Sequence, residues 1–484
     1  MSSHFDLRAA AHQAMLDNGF IPDVPAEVTA EVAGASEPGS VGAGVKDLRA
    51  LPWSSIDNDA SEDLDQLEVA EKLADGTVRI RVAIADVDGI VGKGSATDRF
   101  AAANSTSVYT GIVTYPMLPE RLSSDLTSLG QEDDRASVVI EFVVSDDGGI
   151  KSHDVYMARV RNHAKLAYDN VGAWLDGKAS LPAVGTRQIQ DQLHLQDTVA
   201  QNLRAARARE GALDLETIEA QSVVRPDETV DIELVHKTRA SRLIEDFMIA
   251  ANVAMAQFLD EHKSPTIRRI VRSPERWNRI VDLAGRLGTT LPAEPDSAAL
   301  SAFLVKRHKE DPDHFADLSL AVVKLIGPGE YAAHTPGEED IGHFGLATHD
   351  YTHSTAPNRR YADLVTQRLL KAALAGAQSP YTHDELDAIA RHSTEREDAA
   401  RKVERTVRKS AAAVSMSDRT GESFDAIVTG VNRNGTYVRV ISPPIEGRVM
   451  RGQEGMDVGD KVRVQLLSTD PKRGFIDFGA AGNG

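Results

Sequence analysis

Between residues 78 and 85 the chain alternates strictly, with Val78, Ile80, Val82 and Ile84 interleaved by Arg79, Arg81, Ala83 and Ala85. A period of two sends the larger apolar side chains to one face and predicts a half-buried strand. Two further strand patterns, residues 137–144 and 150–161, flank Asp146-Asp147-Gly148-Gly149, a turn-forming run that predicts a hairpin. The period then lengthens. Across 238–262, Leu243, Phe247, Ala251, Met255 and Phe258/Leu259 fall on one helical face. Residues 358–375 and 383–414 are expected to be further helices, so residues 46–420 read as an α+β body.

The two ends follow other rules. Residues 421–484 carry five short strand patterns (423–431, 436–441, 447–450, 461–468 and 474–478) divided by Gly, Asn and Pro turns. Five strands in so short a span suit an OB-type β-barrel. Residues 1–45 are expected to form a short helical module. The pattern Leu7, Ala10, Ala11, Met15 predicts a helix over 6–18 that stops near Gly19, and a helix-turn-helix is one form the module could take. Pro22, Pro25 and the Gly/Ser-rich 34–44 read as turns and a linker.

A length of 484 residues leaves room for three or four domains. With no cysteine, disulfides and Cys-ligated zinc or iron–sulfur sites are excluded, which fits a reducing compartment. The start, Met1-Ser2-Ser3-His4-Phe5-Asp6, lacks the basic and apolar regions of a signal peptide. No run of about 18 apolar residues is present to span a bilayer, and a cytoplasmic location is expected. The net charge of −19 argues against a uniformly basic surface. Basic residues are nevertheless grouped: Arg268, Arg269, Arg272, Arg276 and Arg279; Arg359 and Arg360; Arg401, Lys402, Arg405, Arg408 and Lys409. Binding a nucleic-acid backbone needs only a local basic groove.

Candidate chemistry centres on Ser55-Ile56-Asp57-Asn58-Asp59-Ala60-Ser61-Glu62-Asp63-Leu64-Asp65-Gln66-Leu67, in which five of thirteen residues are acidic. Acids this crowded repel one another unless solvent or a divalent cation with hard oxygen ligands offsets them. On an extended segment Asp63 and Asp65 would leave from one face, and Asp57 would reach the same point if the chain folded back. Downstream, Pro357 is suited to starting a helix. Arg359 would then emerge at a helix N-terminus, a good place to bind a phosphate. His334, His343, His349 and His353 do not match a compact zinc-ligand spacing.

Ile-Asp, five residues, then Asp-x-Asp resembles the signature of the RNase II/RNase R (RNB) family of exoribonucleases. Further stretches fall in the family's order: Ser107-Val108-Tyr109, Tyr115-Pro116-Met117-Leu118-Pro119, Gly211-Ala212-Leu213-Asp214-Leu215, Ala240–Asn252 and His343-Phe344-Gly345-Leu346. The most specific is Tyr351-Thr352-His353-Ser354-Thr355-Ala356-Pro357-Asn358-Arg359-Arg360-Tyr361-Ala362-Asp363-Leu364. It is similar to the family's Y-x-H-x-T-S-P-I-R-R-Y-x-D-L, with Ala356 for Ser and Asn358 for an apolar residue. The run Gly430-Val431-Asn432-Arg433-Asn434-Gly435-Thr436-Tyr437-Val438 resembles an S1 RNA-binding domain. Together these cover residues 46 to 484.

The resemblance implies magnesium-dependent (or manganese-dependent), processive 3′→5′ hydrolysis of single-stranded RNA, entering 3′ end first, to nucleoside 5′-monophosphates. Asp57, Asp63 and Asp65 would hold the metal, polarising the phosphate and lowering the pKa of an attacking water. Asp65 is expected to matter most. Arg359 would face the scissile phosphate, Tyr109 would stack on the 3′ end, and Arg360, Glu404 and Arg405 would line the RNA path. Tyr437 and Phe424 of the barrel would stack bases, with Arg439 and Arg448 touching phosphates, the other reading of Phe424 being that it fills the barrel. Glu245 and Asp246 either border the cleft or pair with an arginine. A monomer is expected. Gln66 departs from the family, which usually has a fourth aspartate there. One rival reading follows, an RNA-binding regulator that keeps the fold without hydrolysis; another is an endonuclease or a DNA-directed nuclease. Continued alternation would put Asp86 and Asp88 on the apolar face of the 78–85 strand, where Asp88 would either supply the charge missing at Gln66 or simply start the turn at Gly89.

Overall fold

Local signals in the chain account for where its principal elements begin. The Asp6 carboxylate accepts hydrogen bonds from the amides of Arg8 and Ala9, capping α1 (Leu7–Asp17), and α2 (Ala26–Ala33) follows. The computed structural model describes residues 5–36, 44–180, 186–216, 219–225, 230–339, 341–433 and 435–481. Most of the expected 34–44 linker, and Asn434 in the barrel, lie outside the described residues.

The main sheet is built from β1 (Lys46–Asp47), β2 (Ser54–Asp57), β3 (Gln66–Lys72) and β4 (Val78–Ala85), then β7 (Asp134–Val144), β8 (Ile150–Arg161) and β9 (Ala164–Ala167). Helix α3 (Ala96–Asn104) and a two-stranded ribbon, β5 (Val108–Tyr109) with β6 (Thr114–Tyr115), intervene in sequence between β4 and β7. The strand order is β1-β8-β7-β4-β3-β2-β9. The expected hairpin joins β7 to β8. Its Gly148 has φ +83°, and a Cβ there would meet the Asn202 carbonyl oxygen at 2.0 Å, so the turn requires glycine.

Register fixes which residues share a face. Gln66 lies opposite Ile84, Glu68 opposite Val82 and Ala70 opposite Ile80, while β7 continues the row with Val138, Ile140 and Phe142. This face is covered by α4 (Tyr168–Leu175), α5 (Arg187–Arg209) and α6 (Arg239–Glu261). Thr238 caps α6 through the Ser241 amide, and Leu243, Phe247, Met255 and Leu259 are buried as the helical pattern predicts. Each such side chain contributes about 1.5–3 kcal/mol on burial. The opposite face, with Leu67, Val69, Ala83 and Ala85, meets Leu364, Val365 and Leu369 of α10 (Tyr361–Leu374).

Before α10 come β10 (Glu219–Val224) paired with β11 (Val230–Val235), and β12 (Thr266–Ile270) paired with β13 (Glu330–His334). Between β12 and β13 stand α7 (Trp277–Arg286), α8 (Ser297–Glu310) and α9 (Phe315–Ile326), with a core of their own around Ile280, Phe303 and Phe315. Helix α11 (His383–Ser415) starts at a reciprocal Thr382/Glu385 capping box. Ala399, Val403 and Val407 of α11 pack with Ala11, Met15 and Phe20 from the N-terminal region.

The last strands, β14 (Ser423–Asn432), β15 (Gly435–Val440), β16 (Glu446–Arg451), β17 (Lys461–Asp470) and β18 (Phe475–Ala480), close into the expected five-stranded barrel. No helix of the described residues is long and apolar enough to cross a membrane.

One boundary differs in a way that matters. The helix expected from residue 358 begins at Tyr361, so Pro357 precedes the helix instead of starting it. The amides of Arg359 and Arg360 both donate to the Ala356 carbonyl at 3.2 and 3.0 Å, and the Asp363 carboxylate holds the Ala356 amide at 2.8 Å. Residues 356–360 are thus committed to a tight turn at the mouth of α10.

Candidate active site

The acid stretch is a folded-back loop between β2 and β3. Asp57 ends β2, and its Oδ1 accepts from the Asn58 amide at 2.7 Å and the Ser61 hydroxyl at 3.0 Å. Such an aspartate-led turn reverses the chain locally. The return path is pinned from residues 127–129. Ser128 Oγ donates to the Glu62 carbonyl at 2.6 Å and accepts from the Leu64 amide at 3.1 Å, while the Leu129 amide donates to the Leu64 carbonyl at 3.0 Å. Asp63 and Asp65 therefore owe their placement to these contacts and not to a shared strand face.

The same segment carries the turn before α10, since the Thr127 hydroxyl donates to Asn358 Oδ1 at 2.6 Å. The Asn358 amide then donates to Asp65 Oδ1 at 3.2 Å, and Arg359 Nε lies 3.3 Å from Asp65 Oδ2. Asp65 is buried at 3% exposure, whereas the Arg359 side chain is 45% exposed. Residues leading into β5 join this turn, with the Ser107 amide donating to the Arg359 carbonyl at 3.0 Å. Tyr109 follows on β5 with 43% of its surface exposed. Its hydroxyl donates to Asp63 Oδ2 at 3.5 Å and its amide to Glu404 Oε1 at 3.2 Å. A buried carboxylate, a half-exposed guanidinium and an exposed ring are thereby assembled from three segments far apart in the sequence.

Burial pushes the Asp65 carboxyl up to about 7, against the pull of Arg359 and the Asn358 amide, and neighbouring Asp63 and Asp363 push the same way. Burial also raises Asp63, with Asp57 adding to it. The acids thus act on one another, and Arg359 is the cation that offsets them. Among the described residues no three Asp, Glu, His or Cys side chains converge into a closed metal cage. Asp57 is turned toward Ser61, and Asp65 toward Asn358 and Arg359. The donor set still fits a hard divalent ion, which keeps several waters and takes only one or two carboxylates plus substrate phosphate.

Other expected residues divide into two groups. Glu404 lies beside Tyr109, and Arg405 on α11 is exposed without an ion pair among the described residues. Tyr437 is half-buried on β15, across from the exposed Arg448 of β16. Arg360 is spent on structure, gripping Asp363 at 2.9 and 2.7 Å. Arg439 pairs with Asp317 of α9 at 3.3 Å. Phe424 is corrected from a stacking surface to a core residue: it is 6% exposed and meets Phe478 edge-on, because its position on β14 faces into the barrel. Of the basic groups, Arg268 pairs with Asp260 and Arg269 with Glu397. Asp246 is buried against Arg204 and Arg207, the arginine pairing that was one of its two readings, while Glu245 is exposed and pairs with Lys237.

Asp88 is also corrected. Strand β4 ends at Ala85, so the alternation does not extend to it. Its carboxylate is held by Arg368 at 2.9 Å and Lys371 at 3.1 Å, both on α10. Asp88→Ala is expected to leave the magnesium concentration for half-maximal activity unmoved and to cost about 1.5–3 kcal/mol of stability in urea unfolding. A roughly tenfold rise in that concentration would restore it as a metal-site residue. Thr127, Ser128 and the Asn358 amide were missed in the sequence, where nothing local marks a residue that acts by long-range hydrogen bonding.

Residues 45–376 match the RNB domain, and residues 422–481 match the RNase II-type exonuclease C-terminal S1 domain. Ribonuclease R of Vibrio cholerae serotype O1 is 33% identical over 94% of this chain and 59% of its own length. Ribonuclease R 1 of Lactococcus lactis is 31% identical over 88% of this chain and 55% of its own. The chain therefore spans under two thirds of the length of these curated relatives. Among solved structures, Mycoplasma genitalium RNase R in complex with ribose-methylated single-stranded RNA superposes with a TM-score of 0.88 at 24% identity, covering 98% of this chain and 78% of that one. With its RNB match covering most of the sequence and an S1 match following it, the chain belongs to the RNB family.

Proposed function

We propose that this chain is a hydrolytic 3′→5′ exoribonuclease that takes single-stranded RNA 3′ end first and releases nucleoside 5′-monophosphates processively. The observation that carries the reading is the contact of Arg359 with buried Asp65 beside the exposed Tyr109 ring, within an RNB-family chain. Relatives named Ribonuclease R support it, as does the single-stranded RNA bound by the Mycoplasma genitalium protein. On this reading the protein works as a monomer in the cytoplasm, with residues 1–45 as an N-terminal helical module, 46–420 as the catalytic domain and 421–484 as the RNA-binding domain.

In the reaction a water oxygen bonds to phosphorus as the P–O3′ bond breaks. The phosphate stays on the 5′ carbon of the released nucleoside, and the O3′ of the shortened RNA takes up a proton. Asp57, Asp63 and Asp65 would hold Mg²⁺, or Mn²⁺ in its place, which when bound supplies Lewis-acid stabilisation and an acidified water. Arg359 neutralises charge that builds on the phosphate oxygens. Tyr109 stacks on the terminal base without reading its identity, and Glu404 orients Tyr109 through its amide. Tyr437 and Arg448 offer the barrel's contribution to holding longer RNA. Loss of hydrolysis through Gln66 finds no support in this arrangement, because Asp65 and Arg359 remain engaged without it.

RNA labelled at one end tests the proposal. With magnesium, 3′-labelled RNA should release mononucleotide from the first time point, while 5′-labelled RNA shortens gradually to a small limit product. Mid-length fragments from circular RNA would show internal cutting and replace the assignment. Intact RNA throughout would favour the binding-only alternative.

A further inference from the structure

The ribbon that carries Tyr109 depends on its neighbours for its shape. Strands β5 and β6 share two register pairs, Val108 with Tyr115 and Tyr109 with Thr114. A two-stranded hairpin is marginal by itself. Successive strand residues point to opposite sides: Tyr109 is exposed on the side of Asp63, and Val108 is fully buried behind it. The support behind comes from residues 15–21. Met15 and Phe20 share one apolar cluster with Val108, Val113 and Tyr115 of the ribbon region and with Val403 of α11. Glu404, next to Val403, holds the Tyr109 amide.

The end of α1 is shaped to deliver Phe20 there. The Gly19 amide donates to the Leu16 carbonyl and the Phe20 amide to the Met15 carbonyl, both at 3.0 Å, with Gly19 at φ +76°. In such a closure the residue after the glycine packs back on the last helical turn. Arg396 of α11 clasps the turn, donating to the Asn18 and Gly19 carbonyls at 3.0 and 2.9 Å with its guanidinium over the Phe20 ring. Ile21 then reaches the other end of the Tyr109 segment. Its amide donates to Asn104 Oδ1 at 2.9 Å, and Asn104 Nδ2 donates to its carbonyl at 3.0 Å. The residues that follow Asn104 run along the turn holding Arg359: the Tyr361 amide donates to the Ser105 carbonyl at 2.9 Å and the Ser107 amide to the Arg359 carbonyl at 3.0 Å. Residues 104–109 therefore touch the Arg359 turn, end in Tyr109, and are fastened at both ends to residues 15–21.

We propose that Phe20, seated by Arg396 and Ile21, is a positioning residue that sets the Tyr109 ring relative to Arg359, so that the N-terminal segment governs how the last nucleotide is held for cleavage. The proposal rests on the reading of Tyr109 as the ring under the terminal base. Groups that act on a substrate need packing that holds them within about 0.5 Å, and a shift of about 1 Å can cost ~10²-fold in rate. Packing that merely stabilised the fold would lower the melting temperature when removed. Packing that positions Tyr109 changes the stack and the turnover, while RNA affinity, spread over many contacts, stays nearly the same.

The test uses the full chain and single-stranded RNA ending in 2-aminopurine, whose fluorescence is quenched by stacking, with a chelator present so that the RNA stays whole. The part of the quench lost in Tyr109→Ala is the stacking signal. Phe20→Ala should lose most of that signal and, with magnesium, lower kcat by about 10-fold or more with KM little changed. Phe20→Leu, which keeps apolar bulk, should restore both. Ile280→Ala removes buried bulk from the separate α7–α9 core and should lower the melting temperature with neither change. Arg396→Gln, which releases the Asn18 and Gly19 carbonyls, carries the test if Phe20→Ala does not fold. A full stacking signal and normal kcat in the Phe20 or Arg396 variant overturn the inference, as do equal losses in Ile280→Ala. The two readings separate cleanly. A quench that ignores Tyr109→Ala sinks the role of Tyr109 and the inference with it, whereas a Tyr109-dependent quench indifferent to Phe20 sinks the inference alone. A chain whose stacking depends on Phe20 but which degrades no RNA loses the function and keeps the positioning role.

Discussion

Asp65→Asn is expected to lower the rate of RNA hydrolysis by about 10³-fold or more while leaving RNA affinity within a few-fold. Asp65 is the one acid of the loop that is both buried and in contact with Arg359, through Oδ2, while Oδ1 accepts the Asn358 amide. A carboxamide can satisfy only one of these donors. The other meets an NH₂ group, which repels the guanidinium and offers a metal no charge. RNA affinity is spread over many phosphate and stacking contacts, so losing one acid at the cleavage point hardly weakens it. Stability should hold or rise, because burial already disfavours the charged form and pushes the carboxyl up to about 7. Single-turnover degradation, a binding titration at fixed salt and a melting curve on one preparation separate these effects. Near-normal turnover would remove Asp65 from the chemistry.

Much of this site was legible in the sequence because its side chains sit on short, specific motifs. Resemblance to the family's short motifs singled out Asp57, Asp63, Asp65 and Arg359, and the period-two run at 78–85 located the strand beside which the loop closes. Barrel and long helices were legible for the same reason: their apolar periods are local and uninterrupted. Illegible was everything that depends on where a side chain points after the chain has folded. Phe424 reads as a ring that fills the barrel or as one that stacks on a base, and closure of the barrel puts it inside. Asp88 looked like a continuation of β4, but the strand ends first and α10 supplies Arg368 and Lys371 from 280 and 283 residues away (368 − 88 and 371 − 88). Glu68 drew no notice, since in a run of Gln66, Leu67, Glu68, Val69 and Ala70 it reads as the polar side of an amphipathic strand. A sheet covered on both faces has no polar side, so the residue expected in water lies in the core.

Arg359→Ala is expected to cost about 10²–10³-fold in kcat, with a smaller change in RNA affinity. The guanidinium touches Asp65 through Nε alone. Its two terminal nitrogens have no partner among the described residues, and the side chain is 45% exposed. One edge of the fork is thus anchored to a buried carboxylate while the other faces the cleft, the geometry for a bidentate grip on phosphate. Anchoring is what sets this residue apart from the exposed Arg405, whose charge acts from a free side chain. A positioned charge costs no reorganisation when the phosphate becomes more negative in the transition state, so its removal should appear in kcat and not in ground-state binding. Arg359→Lys sharpens the point. A lysine can either pair with Asp65 or reach the phosphate, having a single ammonium where arginine has a planar fork. Its kcat should therefore fall by most of the alanine loss even though the charge is kept. If Arg359→Lys restores full turnover, or if Arg359→Ala weakens RNA binding as much as it slows cleavage, Arg359 is one phosphate contact among many, and the charge at the scissile phosphate must be met by another group.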